Sequence, residues 1–124
     1  MLLRDVHEAG AWLVIVANGL AGAWALGAHR WPQLRSRALW WATGVAQVAA
    51  FVQAALGAAV LADLDAAGRS RLQFHMFYGF LCLVAVGVLY SYRHQLRHRI
   101  HLLYGFGGLF IMGLGLRALT IGAR

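Results

Sequence analysis

Four stretches of this chain, residues 9–29, 38–62, 72–92 and 100–116, contain no Asp, Glu, Lys or Arg. An α-helix crosses a hydrocarbon core in about 20 residues, and each stretch is near or above that length. The fourth is the shortest, but Arg117 can snorkel to the membrane surface and the apolar pattern resumes to Ile121. Soluble domains carry about 25% charged residues. Here 12% of 124 residues are charged and 61% are hydrophobic, too little polar surface to cover four such helices in water. The sequence therefore predicts an all-α integral membrane protein, a single domain over residues 1–124 with spans at 7–28, 38–62, 73–92 and 100–121. Short loops make successive spans antiparallel, giving an up-down-up-down four-helix bundle. The one proline, Pro32, falls in the first loop, so no kink is encoded.

The charges between the spans predict an orientation. The 29–37 and 93–99 loops carry Arg30, Arg35, Arg37, Arg93, Arg97 and Arg99 without an acid. The other side carries Arg4, Arg69, Arg71, Arg117 and Arg124 together with all four acids, Asp5, Glu8, Asp63 and Asp65. Arginine-rich loops stay in the cytoplasm. Both termini and the 63–71 loop are thus expected outside, in a multi-pass protein of the plasma membrane. Arg4 is balanced by Asp5 and Glu8, so the N-terminus does not read as a secretory signal and the first span is expected to be retained. All eleven basic residues are arginine and alanine is abundant, the codon signature expected of a GC-rich bacterial genome. A net charge of +7 would raise nucleic acid as a partner. The loop positions of the arginines assign that charge to the lipid bilayer instead. A lone cysteine, Cys82, excludes an internal disulfide and any cysteine-based cluster.

At 100° per residue, each span has one face of small residues with a polar side chain on it. The faces are His7, Ala11, Val14, Asn18; Ala46, Ala50, Gln53, Gly57; His75, Gly79, Cys82, Val86; and His101, Gly105, Gly108, Met112, Gly115. Such faces serve tight helix packing with interhelical hydrogen bonds, or leave a slot for a flat cofactor.

The third and fourth spans open on one phrase, His-x-x-Tyr-Gly-Phe, at His75 and His101. Gly79 and Gly105 follow one turn later, where a larger side chain would obstruct a ring lying against the helix. Antiparallel spans put His75 and His101 on opposite sides of the bilayer, so the two cannot share a metal. His75 does open its span on the same side as His7. If these parallel helices are diagonal, both imidazoles can point into the bundle, as the two axial ligands of a haem iron do. A catalytic histidine pair lacks a nucleophile at a recognisable spacing. Zinc needs further ligands, and Glu8 points about 100° away from His7 on the helix. Two interfacial histidines with no ligand are the plainer reading.

Residues 51–60, Phe-Val-Gln-Ala-Ala-Leu-Gly-Ala-Ala-Val, are followed by a short polar loop and Leu72-Gln73-Phe74-His75. This resembles the Gln-x-x-Leu-Gly-(Ala/Gly)-x-Val … His segment of the heme A synthases. In that family the histidine is an axial haem ligand, in one of two similar four-helix halves. The resemblance covers residues 4–90, about two-thirds of the chain. It implies haem ligation by His7 and His75; the group is expected to be haem b, and the positions of Gly79 one turn after His75 and of Gln53 on the α-helical face with Gly57 put both at the ring edge. The family's first ligand lies in a Glu-x-x-His-Arg context. Here Arg4 stands at the glutamate position and Glu8 at the arginine position, so synthesis of heme A does not carry over with the ligands. The half-length chain supplies one family-type site, and a homodimer would restore eight helices. Arg4, Arg69 and Arg71 on the same edge are expected to meet haem propionates or lipid headgroups, since guanidinium matches carboxylate.

Asn18 and Gln47 fall near mid-span and are expected to hydrogen-bond between helices, with quinone contact as an alternative. His94, His98 and His101 at i, i+4 and i+7 would share one face of a continuous helix, but Arg93, Arg97 and Arg99 among them favour a positive loop over a metal site. Trp12, Trp24, Trp31, Trp40 and Trp41 read as membrane-interface anchors. The chain thus reads as a small membrane cytochrome for electron transfer, haem handling or oxidase maturation. The alternatives are a cofactor-free accessory subunit of a larger respiratory or other membrane complex, and an oligomeric transporter, which lacks an ion-selective acid.

Overall fold

The computed structural model describes residues 2–122; Arg124, counted above among the basic residues, lies outside them. Helix α1 spans Leu2–Arg30, α2 Arg37–Ala62, α3 Ala66–Arg71, α4 Gln73–Ser91 and α5 Ile100–Gly122, and no strand occurs among the described residues. The helices α1, α2, α4 and α5 are long and apolar enough to cross a membrane. Their outward faces are apolar too: Trp41 is 75% exposed, and Phe80 and Phe106 are each 63% exposed. A surface like this suits lipid and is costly in water.

The helix ends differ from the sequence reading in three places. Helix α1 begins at Leu2 rather than residue 7, so Arg4 and Glu8 stand one turn apart and pair at 3.6 Å. The 63–71 connection contains α3, started by the Asp65 side chain, whose Oδ1 accepts from the Gly68 N–H at 2.8 Å. The chain from Tyr92 to Leu96 is a series of turns, followed by a single 3₁₀ turn over Arg97–Arg99. His94 and His98 therefore do not continue the face of His101 on α5.

Two loop arginines close helix C-termini, where the last carbonyls lack intrahelical donors. Arg35 donates from Nε to the Ala28 carbonyl (2.7 Å) and from its terminal nitrogen to that of His29 (3.1 Å). Arg69 does the same for Leu61 (3.3 Å) and Ala62 (3.4 Å) at the end of α2.

Helix α1 packs against both α2 and α5, α4 packs mainly against α5, and α2 meets α4 only lightly. This order sets α1 and α4 across the diagonal. The small-residue faces point inward as their spacing predicts. A β-carbon on Gly22 would lie 2.8 Å from the Gly105 carbonyl oxygen, and one on Gly108 would lie 2.8 Å from Gly22 Cα. At this seam backbone touches backbone, which only glycine permits. Between α4 and α5, Cys82, Val86, Leu89, Ile111 and Leu114 form the main apolar cluster. Asn18, 2% exposed, donates to the Val14 carbonyl on its own helix (2.9 Å) and to the Ala46 carbonyl on α2 (3.2 Å), satisfying an amide that would otherwise be stranded.

Candidate functional site

His7 and His75 come together near the end of the bundle that holds α3, the start of α1 and the end of α5. Their ring centroids are 6.1 Å apart and the ring planes are 84° apart. Because α1 and α4 run parallel, residues in their first turns share a depth. Because the helices are diagonal, the rings meet inside the bundle rather than across a seam.

Each ring rests on a glycine of a neighbouring helix. His75 lies on Gly122 of α5, where a β-carbon would be 2.7 Å from Nδ1. His7 lies on Gly57 of α2, where a β-carbon would be 2.9 Å from Cε1. His75 Nδ1 is 2.7 Å from the Ala118 carbonyl oxygen. A carbonyl only accepts, so Nδ1 is the donor, and Nε2 lies outside this bond. His7 Nδ1 is buried with no hydrogen-bond partner.

Gln53 ties α2 to α1: its Nε2 donates to the His7 backbone carbonyl, and its side chain lies over Gly10 where a β-carbon would collide with it. Its Oε1 is buried without a partner. Gly79, one turn after His75, borders open space, with nothing within 4 Å of where a β-carbon would stand.

The arginines at this end are differently disposed. Arg4 is held by Glu8 and Arg69 by the end of α2, whereas Arg71 makes no ion pair among the described residues. Arg117 places its guanidinium carbon 5.9 Å from the Tyr78 ring centre, next to the residue whose carbonyl receives the His75 proton. His101 is at the opposite end of the bundle. Its ring lies 5.4 Å from Trp40, which also contacts Tyr104 at 5.6 Å, so Trp40 packs within the bundle as well as facing outward.

The pair has the dimensions of two imidazoles on one metal ion. Two metal–nitrogen bonds of about 2 Å, plus the distance from each nitrogen to its ring centre, separate the centroids by about 6 Å. Among the described residues no group of three or more His, Cys, Asp or Glu is placed to hold a metal. Two imidazoles at this spacing, glycine seats and an open flank fit a metal that arrives in a macrocycle supplying its other donors. The glycine seats on α2 and α5 could not be assigned from local sequence: Gly57 stood in the segment likened to the heme A synthases, but nothing linked Gly122 or Ala118 to His75. Comparison with known protein families, with characterised proteins and with solved structures finds no match.

Proposed function

We propose that the chain is a small multi-pass membrane cytochrome that holds one b-type haem between His7 and His75, with both termini on the outer side of the plasma membrane. The observation that carries this reading is the 6.1 Å spacing of two imidazoles from parallel, diagonal helices. The Nδ1–H bond of His75 supports it, because ligating histidines donate their second nitrogen to a carbonyl or carboxylate. Bound haem would supply one-electron exchange at its iron. The chain's own part is to fix the imidazoles, to exclude water with the apolar residues below them, and to leave the flank at Gly79 free for the ring edge.

Protein purified from haem-replete cells should show a Soret band and a reduced α-band. Each of His7→Ala and His75→Ala should remove the six-coordinate low-spin spectrum. A colourless wild-type preparation, or unchanged spectra in both variants, overturns the proposal.

A further inference from the structure

The two imidazole seats differ in which part of the ring meets the glycine. In an α-helix the carbonyl of residue i points toward residue i+4, whose β-carbon partly screens it from a third group. Gly122 follows Ala118 by four residues, and the Ala118 carbonyl accepts a hydrogen bond from His75 Nδ1 at 2.7 Å. A β-carbon on Gly122 would stand 2.7 Å from that same Nδ1. On Gly57 the His7 ring is nearest through Cε1, 2.9 Å from the β-carbon position, and its Nδ1 has no hydrogen-bond partner.

We infer that Gly122 is a positioning residue for His75, opening the Ala118 carbonyl one turn earlier to receive the imidazole Nδ1–H. The inference rests on the haem reading and adds how this chain sets the strength of this ligand. An imidazole whose N–H donates to a carbonyl is fixed in one tautomer and is a more basic ligand through Nε2. More basic axial ligands favour ferric over ferrous iron and lower the reduction potential. Not every glycine of the bundle does this: Gly44, Gly87 and Gly113 have nothing within 4 Å of a β-carbon position.

The test uses the haem-loaded protein in detergent or vesicles. Gly122→Ala should raise the midpoint potential and weaken haem retention about tenfold or more. Gly44→Ala and Gly87→Ala should leave both unchanged. A chemical arm separates the hydrogen bond from packing. His75→Gly is supplied with imidazole or with 1-methylimidazole, which ligates but has no N–H to donate. Imidazole should restore the wild-type potential, whereas 1-methylimidazole should restore the six-coordinate spectrum at a higher potential. Equal potentials with the two ligands, or equal shifts in Gly44→Ala and Gly122→Ala, overturn the inference while leaving the cytochrome standing. A wild-type protein that binds no haem overturns both, and is distinguished by its missing Soret band.

Discussion

His7 and His75 stand on helices that scarcely touch, yet their rings lie 6.1 Å apart. What sets that distance is the pair of helices between them. Helix α5 carries the seat of His75 and packs along α1, while α2 carries the seat of His7. The spacing is thus a property of the whole bundle, and anything that shifts α5 along α1 shifts the two imidazoles relative to each other.

Substitutions at the α1–α5 seam should therefore be felt at the histidines. Gly108→Val places a side chain where the Asn18 carbonyl oxygen and Gly22 Cα already lie 2.8 Å from the first added atom. Backbone cannot rotate aside as a side chain does, so the helices must part. Overpacking of this kind costs about 1–3 kcal/mol. The expected result is a lower unfolding midpoint in detergent together with haem loss in the same preparation. Gly113→Val, at a position with nothing within 4 Å, should leave both unchanged.

His101 serves as the contrasting histidine. It shares the His-x-x-Tyr-Gly-Phe phrase with His75, yet its ring lies against Trp40 at the other end of the bundle. His101→Ala should keep the haem spectrum intact and reduce stability by about 1 kcal/mol, the scale of one aromatic contact. Absorption spectra and thermal unfolding of the same sample test both halves of that statement. Loss of the haem bands in His101→Ala alone would move the ligand assignment to the wrong end of the bundle.

Asn18 gives a third prediction. Its amide nitrogen donates to two carbonyls, one across the α1–α2 seam. Asn18→Ala removes the cross-helix bond and should cost about 0.6 to 1.7 kcal/mol, the range for hydrogen bonds between membrane helices. Asn18→Asp should also cost stability, because a carboxyl buried here is neutral and offers one O–H where the amide offers two N–H donors to those carbonyls. Chemical denaturation midpoints of both variants below that of the wild type check the argument. An Ala variant as stable as the wild type would show that the cross-helix bond contributes nothing.

The helices and their inward faces were legible because both follow from local rules. Charge-free stretches mark length, and a 100° step sorted Asn18, Ala46, Cys82 and Gly108 onto the buried side, where they are found. The ion pair from Arg4 to Glu8 lay within one helix turn and was missed only because the helix was begun too late. The seats are another matter. Gly122 meets His75 across 47 positions of sequence, and which residue of α5 stands opposite α4 depends on how far the helices slide. Arg69 shows the same limit. The sequence placed it at the His7 and His75 edge as a candidate partner for an anionic ligand, and its hydrogen bonds go to the carbonyls ending α2. Such a choice among acceptors is set by the loop path through α3.

The last prediction concerns the direction of insertion, for which the loop charges are the argument. The connections 31–36 and 92–99 lie at the end of the bundle opposite α3, and between them hold Arg35, Arg93, Arg97 and Arg99 with no acid. Translocating such loops opposes the positive-inside bias, whereas the α3 loop balances Arg69 and Arg71 with Asp63 and Asp65. Cys82 is buried, so Cys82→Ala gives a background for single cysteines. In intact cells Ser70→Cys should react with a membrane-impermeant thiol reagent, and Gln95→Cys should react only after the membrane is opened. The reverse pattern would place the His7–His75 end on the cytoplasmic side. It would leave the geometry of the pair untouched but would change which redox partners can reach it, since a haem near one leaflet exchanges electrons most readily with carriers on that side.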